Sequence, residues 1–69
     1  MQTKLSIQEK LKDERTNRHM TLAQLEEATG ISRSTLGKYE SEDCTDISPF
    51  NLQKLADYYN VSMDYLLGR

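Results

Sequence analysis

Residues 21–40, TLAQLEEATGISRSTLGKYE, leave the backbone little choice. Thr21 is a polar cap opening an amphipathic segment that stops at Gly30, and Ser32 is a second cap opening another segment at once. Two helices joined by so tight a glycine turn must cross at a steep angle. The apolar positions fit that crossing: Leu22, Leu25 and Ala28 or Thr29 on the first helix, Ile31 in the turn, Leu36 and Tyr39 on the second. Arg33, Ser34, Gly37 and Lys38 are left facing outward. They make a small, partly cationic surface suited to a groove.

The same grammar recurs along the chain. Polar caps stand at Ser6, Thr21, Ser32, Ser48 and Ser62, each able to accept a bond from an orphaned backbone N–H worth about 1 kcal/mol. Ser6 with Glu9, and Thr21 with Gln24, read as capping boxes, and Pro49 sits where a missing donor costs nothing. Apolar residues flank four of the five starts as staples: Met20 with Leu25, Ile31 with Leu36, Ile47 with Leu52, and Val61 with Leu66. Helices are therefore predicted at 6–18, 21–29, 32–41, 48–59 and 62–67, with residues 42–47 as the one long connection. Leu52, Leu55, Ala56 and Tyr59 form a core-facing stripe, to which the last helix adds Leu66 and Leu67. Packing is the ordinary role for Tyr58, Tyr65 and Leu67, and a dimer interface is the alternative. With no strand pattern or repeat, the fold class is all-α, a compact five-helix bundle.

A chain of 69 residues has room for a single core, so residues 1–69 are expected to form one domain. No apolar run approaches membrane-spanning length, and MQTKLSIQEK lacks the apolar stretch of a signal peptide. A soluble, cytoplasmic protein is expected. Cys44 is the lone cysteine, so it cannot staple the fold internally, and it reads as a reduced thiol in an acidic surface loop with Glu42, Asp43 and Asp46. The formal net charge is −2, but seven of the nine basic residues (Lys4, Lys10, Lys12, Arg15, Arg18, Arg33, Lys38) precede residue 39. Six acids follow it, so a basic face on an acidic body is possible despite Glu26 and Glu27.

Two charges fall where carbon is expected. Ile7, Leu11 and Arg15 are four apart, so an inward row ends in a guanidinium, and Leu36 and Glu40 end another in a carboxylate. An unpaired buried charge costs several kcal/mol, on the order of a fold's whole margin. Arg15 and Glu40 are therefore predicted to form a bidentate structural ion pair that fixes the first helix against the end of the third.

Three pieces of the chain together, LKDER, MTLAQLEEATGISRSTLGKYE and NLQKLADYYNVSMDYLLG, resemble the Cro/repressor-type (XRE) helix-turn-helix family over nearly the whole length. The resemblance implies a lambda-repressor-like bundle with its helix-turn-helix in helices 2 and 3 (residues 21–40), binding double-stranded operator DNA, commonly as a homodimer, to control transcription. It also implies the Arg15–Glu40 pair. By position, Arg33, Ser34 and Lys38 match the family's base-facing residues, with Thr35 beside them, and Thr21, Leu22 and Ala23 match phosphate contacts made through backbone N–H groups. Three positions depart from the pattern. Leu22 replaces a phosphate-binding glutamine, Glu26 replaces a small alanine between the two helices, and ESEDCTD replaces a loop that is often basic. Relatives often continue past Leu-Leu-Gly, so the chain fits a whole regulator or the N-terminal domain of a longer one.

The expected function is a sequence-specific DNA-binding transcriptional regulator, a repressor, reading the major groove with its third helix. Arg33 is the candidate for a bidentate bond to guanine, Ser34 and Thr35 for base edges or a thymine methyl, and Lys38 for a base edge or phosphate. Lys12 and Arg18 are candidate phosphate clamps. The competing reading is a protein-interaction or antitoxin-like module on the same fold with weak DNA binding, favoured by the acidic balance and Leu22. No enzyme is expected, because His19 sits in a turn without a nucleophile or carboxylate placed beside it. No cofactor, metal or small-molecule substrate is implied.

Overall fold

Helix starts fall directly after the polar caps. In a computed structural model that describes residues 5–41 and 46–68, α1 spans Ile7–Asn17, α2 Leu22–Thr29, α3 Arg33–Tyr39, α4 Pro49–Tyr59 and α5 Met63–Leu67, with no strand among the described residues. Cys44, with Glu42 and Asp43, and Lys4 lie outside the described residues. Ser6 and Thr21 form complete capping boxes with Glu9 and Gln24. Ser32 and Ser62 accept from the N–H of Thr35 and Tyr65. Ser48 does not cap through its side chain. Its backbone N–H instead donates to the Tyr39 hydroxyl at 3.3 Å, and Pro49 at the first helical position removes one donor that would need a partner.

The core is assembled from every helix and from the turn after α2. Leu11, Leu25, Ile31, Leu36, Leu52 and Leu66 are buried, joined by Leu55, Ala56 and the rings of Tyr39 and Tyr59. The staple partners Met20, Ile47 and Val61 pack against them. Thr29, and not Ala28, turns inward, and its hydroxyl bonds the Leu25 carbonyl at 2.8 Å. Leu67 departs from the expected inward pair: it is exposed while Leu66 is buried. Adjacent helical residues point about 100° apart, and α5 is turned so that Leu66 faces the core and Leu67 lies outside the buried arc.

Charges join the elements as well. Arg15 donates from Nε to Glu40 Oε2 and from Nη2 to Glu40 Oε1, both at 2.8 Å, and from Nη1 to the Met20 carbonyl at 2.8 Å. One guanidinium thus ties α1 to the end of α3 and to the turn before α2. The hydrogen bond to Glu40 raises its pKa further, against the opposing effect of burial. The Tyr59 hydroxyl is buried without a hydrogen-bond partner among the described residues. Burial, and then the Glu40 carboxylate, push its pKa well above the usual tyrosine range.

Candidate nucleic-acid interface

The outward side of α3 is held from both ends. At its start, Ser32 Oγ accepts from the Thr35 N–H at 3.2 Å and donates to Thr35 Oγ1 at 2.8 Å. Just past its end, Glu40 is gripped by Arg15, and the Tyr39 hydroxyl accepts from Asn51 Nδ2 at 2.9 Å. Leu36 and Tyr39 bury the inner side. The arrangement leaves Arg33, Ser34 and Lys38 exposed together on the opposite side. Thr35 is half-buried, its hydroxyl engaged by Ser32.

Gly30 makes the turn that brings α2 and α3 together. Its φ of 79° is left-handed, a conformation that L side chains resist. Gly37 is half-buried, not outward-facing as its position on the helix suggested. A Cβ placed on it would lie 3.7 Å from Leu22 Cδ1. The side chain that replaces the expected glutamine therefore packs at the seam between the helices. At the start of α2, the Thr21 N–H is taken by Gln24 Oε1 at 2.8 Å, and Gln24 N–H by Thr21 Oγ1 at 3.1 Å. The N–H groups of Leu22 and Ala23 belong to the first turn, which offers them no helical acceptor.

The two candidate clamps on α1 have different surroundings. Lys12 is exposed, beside a shallow groove that it lines with Leu5, Glu9, Asp13 and Glu40. Arg18 is committed within the fold: Nη1 meets Glu14 Oε1 at 2.6 Å, and Nη2 donates to the Tyr59 carbonyl at 2.8 Å. Its guanidinium also lies 4.9 Å from the centre of the Tyr59 ring.

A helix-turn-helix family profile matches residues 11–66. The HTH-type transcriptional regulator ImmR of Bacillus subtilis (strain 168) is 37% identical over 65 residues, which make up 94% of this chain and 50% of that protein. The chain belongs to the XRE-type helix-turn-helix family. It spans about half the length of that curated relative. The five-helix architecture is the all-α helix-turn-helix fold, and the family is one of DNA-binding transcriptional regulators. Among the described residues, no helix is long and apolar enough to cross a membrane.

Within this helix-turn-helix, one contact was not foreseen from the residues. Glu26, at the position where the family usually has alanine, accepts from Arg33 Nε at 2.9 Å. Helical spacing gives no hint of it, because the two residues are seven apart with a turn between them. The available signal was the pairing of two oddities, an acid at an expected alanine and a lone arginine just beyond the turn.

Proposed function

We propose that this chain is a sequence-specific DNA-binding transcriptional regulator acting as a repressor in the cytoplasm. In this reading residues 1–69 work as one domain, and α3 enters the operator major groove. The observation that carries it is the common exposure of Arg33, Ser34 and Lys38 on a short helix pinned at both ends. Preorganised donors of this kind lose little freedom on docking, and an arginine can bond guanine O6 and N7 bidentately. Arg33 is assigned to a guanine, Ser34 and Thr35 to neighbouring base edges, and Lys38 to phosphate or a base edge. The free first-turn N–H groups of Leu22 and Ala23 suit a phosphate oxygen.

The reading includes a homodimer, for which the exposed Tyr58, Tyr65 and Leu67 supply apolar surface. A dimer would read two half-sites about one helical turn, ~34 Å, apart. Selection of bound duplexes from a random DNA pool tests this directly. A two-fold symmetric motif is expected, and a reporter placed behind it should fall in output when the protein is present. A pool that yields no motif, with any DNA affinity insensitive to sequence, would favour the protein-interaction module. A reporter that rises would exclude the repressor role.

A further inference from the structure

Arg33 and Glu26 form an ion pair across the seam between α2 and α3, with side chains 66% and 37% exposed. Pairs so open to water add little to folding stability, so stability does not explain why the two are joined. Its consequence for Arg33 is geometric. A guanidinium is planar and carries five N–H donors in a fixed fork. Glu26 takes the donor on Nε, which leaves the two Nη groups at the tip of the side chain. An arginine can meet guanine side-on, through Nε and one Nη, or end-on, through both Nη groups. With Nε held, only the end-on approach is open.

We infer that Glu26 is a positioning residue for sequence readout, which holds Arg33 by Nε so that both Nη groups face a guanine end-on. This rests on the assignment of Arg33 to a base. The same carboxylate also sharpens discrimination in a second way. A phosphate approaching Arg33 is repelled by the Glu26 carboxylate and by Glu27, which lines the same shallow depression with Ala23, Glu26 and Arg33. A guanine carries no net charge, so it accepts from Nη1 and Nη2 without that repulsion. Glu26 therefore lowers the sequence-independent draw of the arginine and leaves its specific bond intact. Gly30 and the packing of Leu22 at Gly37 set the spacing of the two helices, so the distance from Glu26 to Arg33 is built into the turn.

The test uses the full chain with a synthetic duplex carrying the selected motif, the same duplex with the contacted G·C pair changed to A·T, and an unrelated duplex. Arg33→Ala should abolish the preference for G·C at one position, a loss of about ten- to a hundredfold. Glu26→Ala should reduce that preference by about fivefold, raise affinity for the unrelated duplex, and leave the melting temperature nearly unchanged. Glu26→Gln keeps an oxygen to accept from Nε and should retain most of the preference. In an Arg33→Ala background, Glu26→Ala should change the preference no further. If Arg33→Ala abolishes the preference but Glu26→Ala preserves it, or if Gln loses as much as Ala, the positioning role is overturned. If Arg33→Ala itself leaves the preference intact, the assignment of Arg33 fails, and the role of Glu26 fails with it.

Discussion

A guanidinium and a carboxylate with side chains only 15% and 9% exposed tolerate each other's presence far better than each other's absence. Arg15→Met leaves the Glu40 carboxylate without its two charged donors, and a loss of about 3 kcal/mol in urea unfolding is expected. Replacing Glu40 by Met as well should recover most of that loss, because the pair then gives way to packed carbon. Tyr59 presents the opposite case: its ring belongs in the core, but its oxygen has no partner among the described residues. Tyr59→Phe should therefore be at least as stable as the parent, by up to about 1 kcal/mol. The difference should widen in alkali. With the folded pKa raised, the hydroxyl stays protonated in the native state while the unfolded chain ionises above its ordinary value near 10, so stability falls as pH rises past that point. Alkaline unfolding of the Phe variant should begin at higher pH, and an unchanged midpoint would show the hydroxyl to be satisfied. Arg15 and Glu40 stand out in the sequence because each ends an inward row in a charge. Periodicity places the Tyr59 ring but cannot show whether its oxygen finds a partner.

The limits of each helix are set by local chemistry, which is why they were largely legible. Capping boxes at Ser6 and Thr21, and the αL residues Gly30, Asn60 and Gly68 at helix ends, act over one turn and need no tertiary information. Ser48 makes no side-chain cap bond, and its N–H goes to the Tyr39 hydroxyl, a contact nine residues away that cap grammar does not reveal. The two glycines of the helix-turn-helix separate local from tertiary causes. Gly30→Ala meets open space but must hold φ near 79°, so a loss of about 1 kcal/mol is expected. Gly37→Ala adds a methyl at ordinary contact distance from Leu22 inside a helix, where alanine is the better former, so a gain approaching about 1 kcal/mol is expected. Thermal unfolding of both variants checks the opposite signs. A loss at Gly37 would mean that the seam with Leu22 is already full.

At the level of the whole chain, the sequence shows where the positive charges lie along it and not how many remain available. Lys10 donates to the Tyr65 carbonyl at 2.8 Å, Arg15 is held by Glu40, Arg18 by Glu14 and the Tyr59 carbonyl, and Arg33 by Glu26. Lys12 and Lys38 have no ion pair among the described residues. The basic face is accordingly weaker than the count of lysines and arginines suggests, which suits the sequence-selective role proposed for this chain of net charge −2. The balance can be read from salt dependence, since each phosphate neutralised on duplex DNA contributes about 0.9 to the slope of log K against log salt. Lys38→Ala, if the residue meets phosphate, should reduce the slope by about that amount per protomer and weaken all duplexes alike. Arg18→Ala should leave the slope unchanged and lower the melting temperature, because what it loses is the bond between the end of α1 and the last carbonyl of α4. A slope change in Arg18→Ala matching that of Lys38→Ala would place Arg18 on the DNA backbone, and would mean that its bonds to Glu14 and Tyr59 open when the duplex arrives.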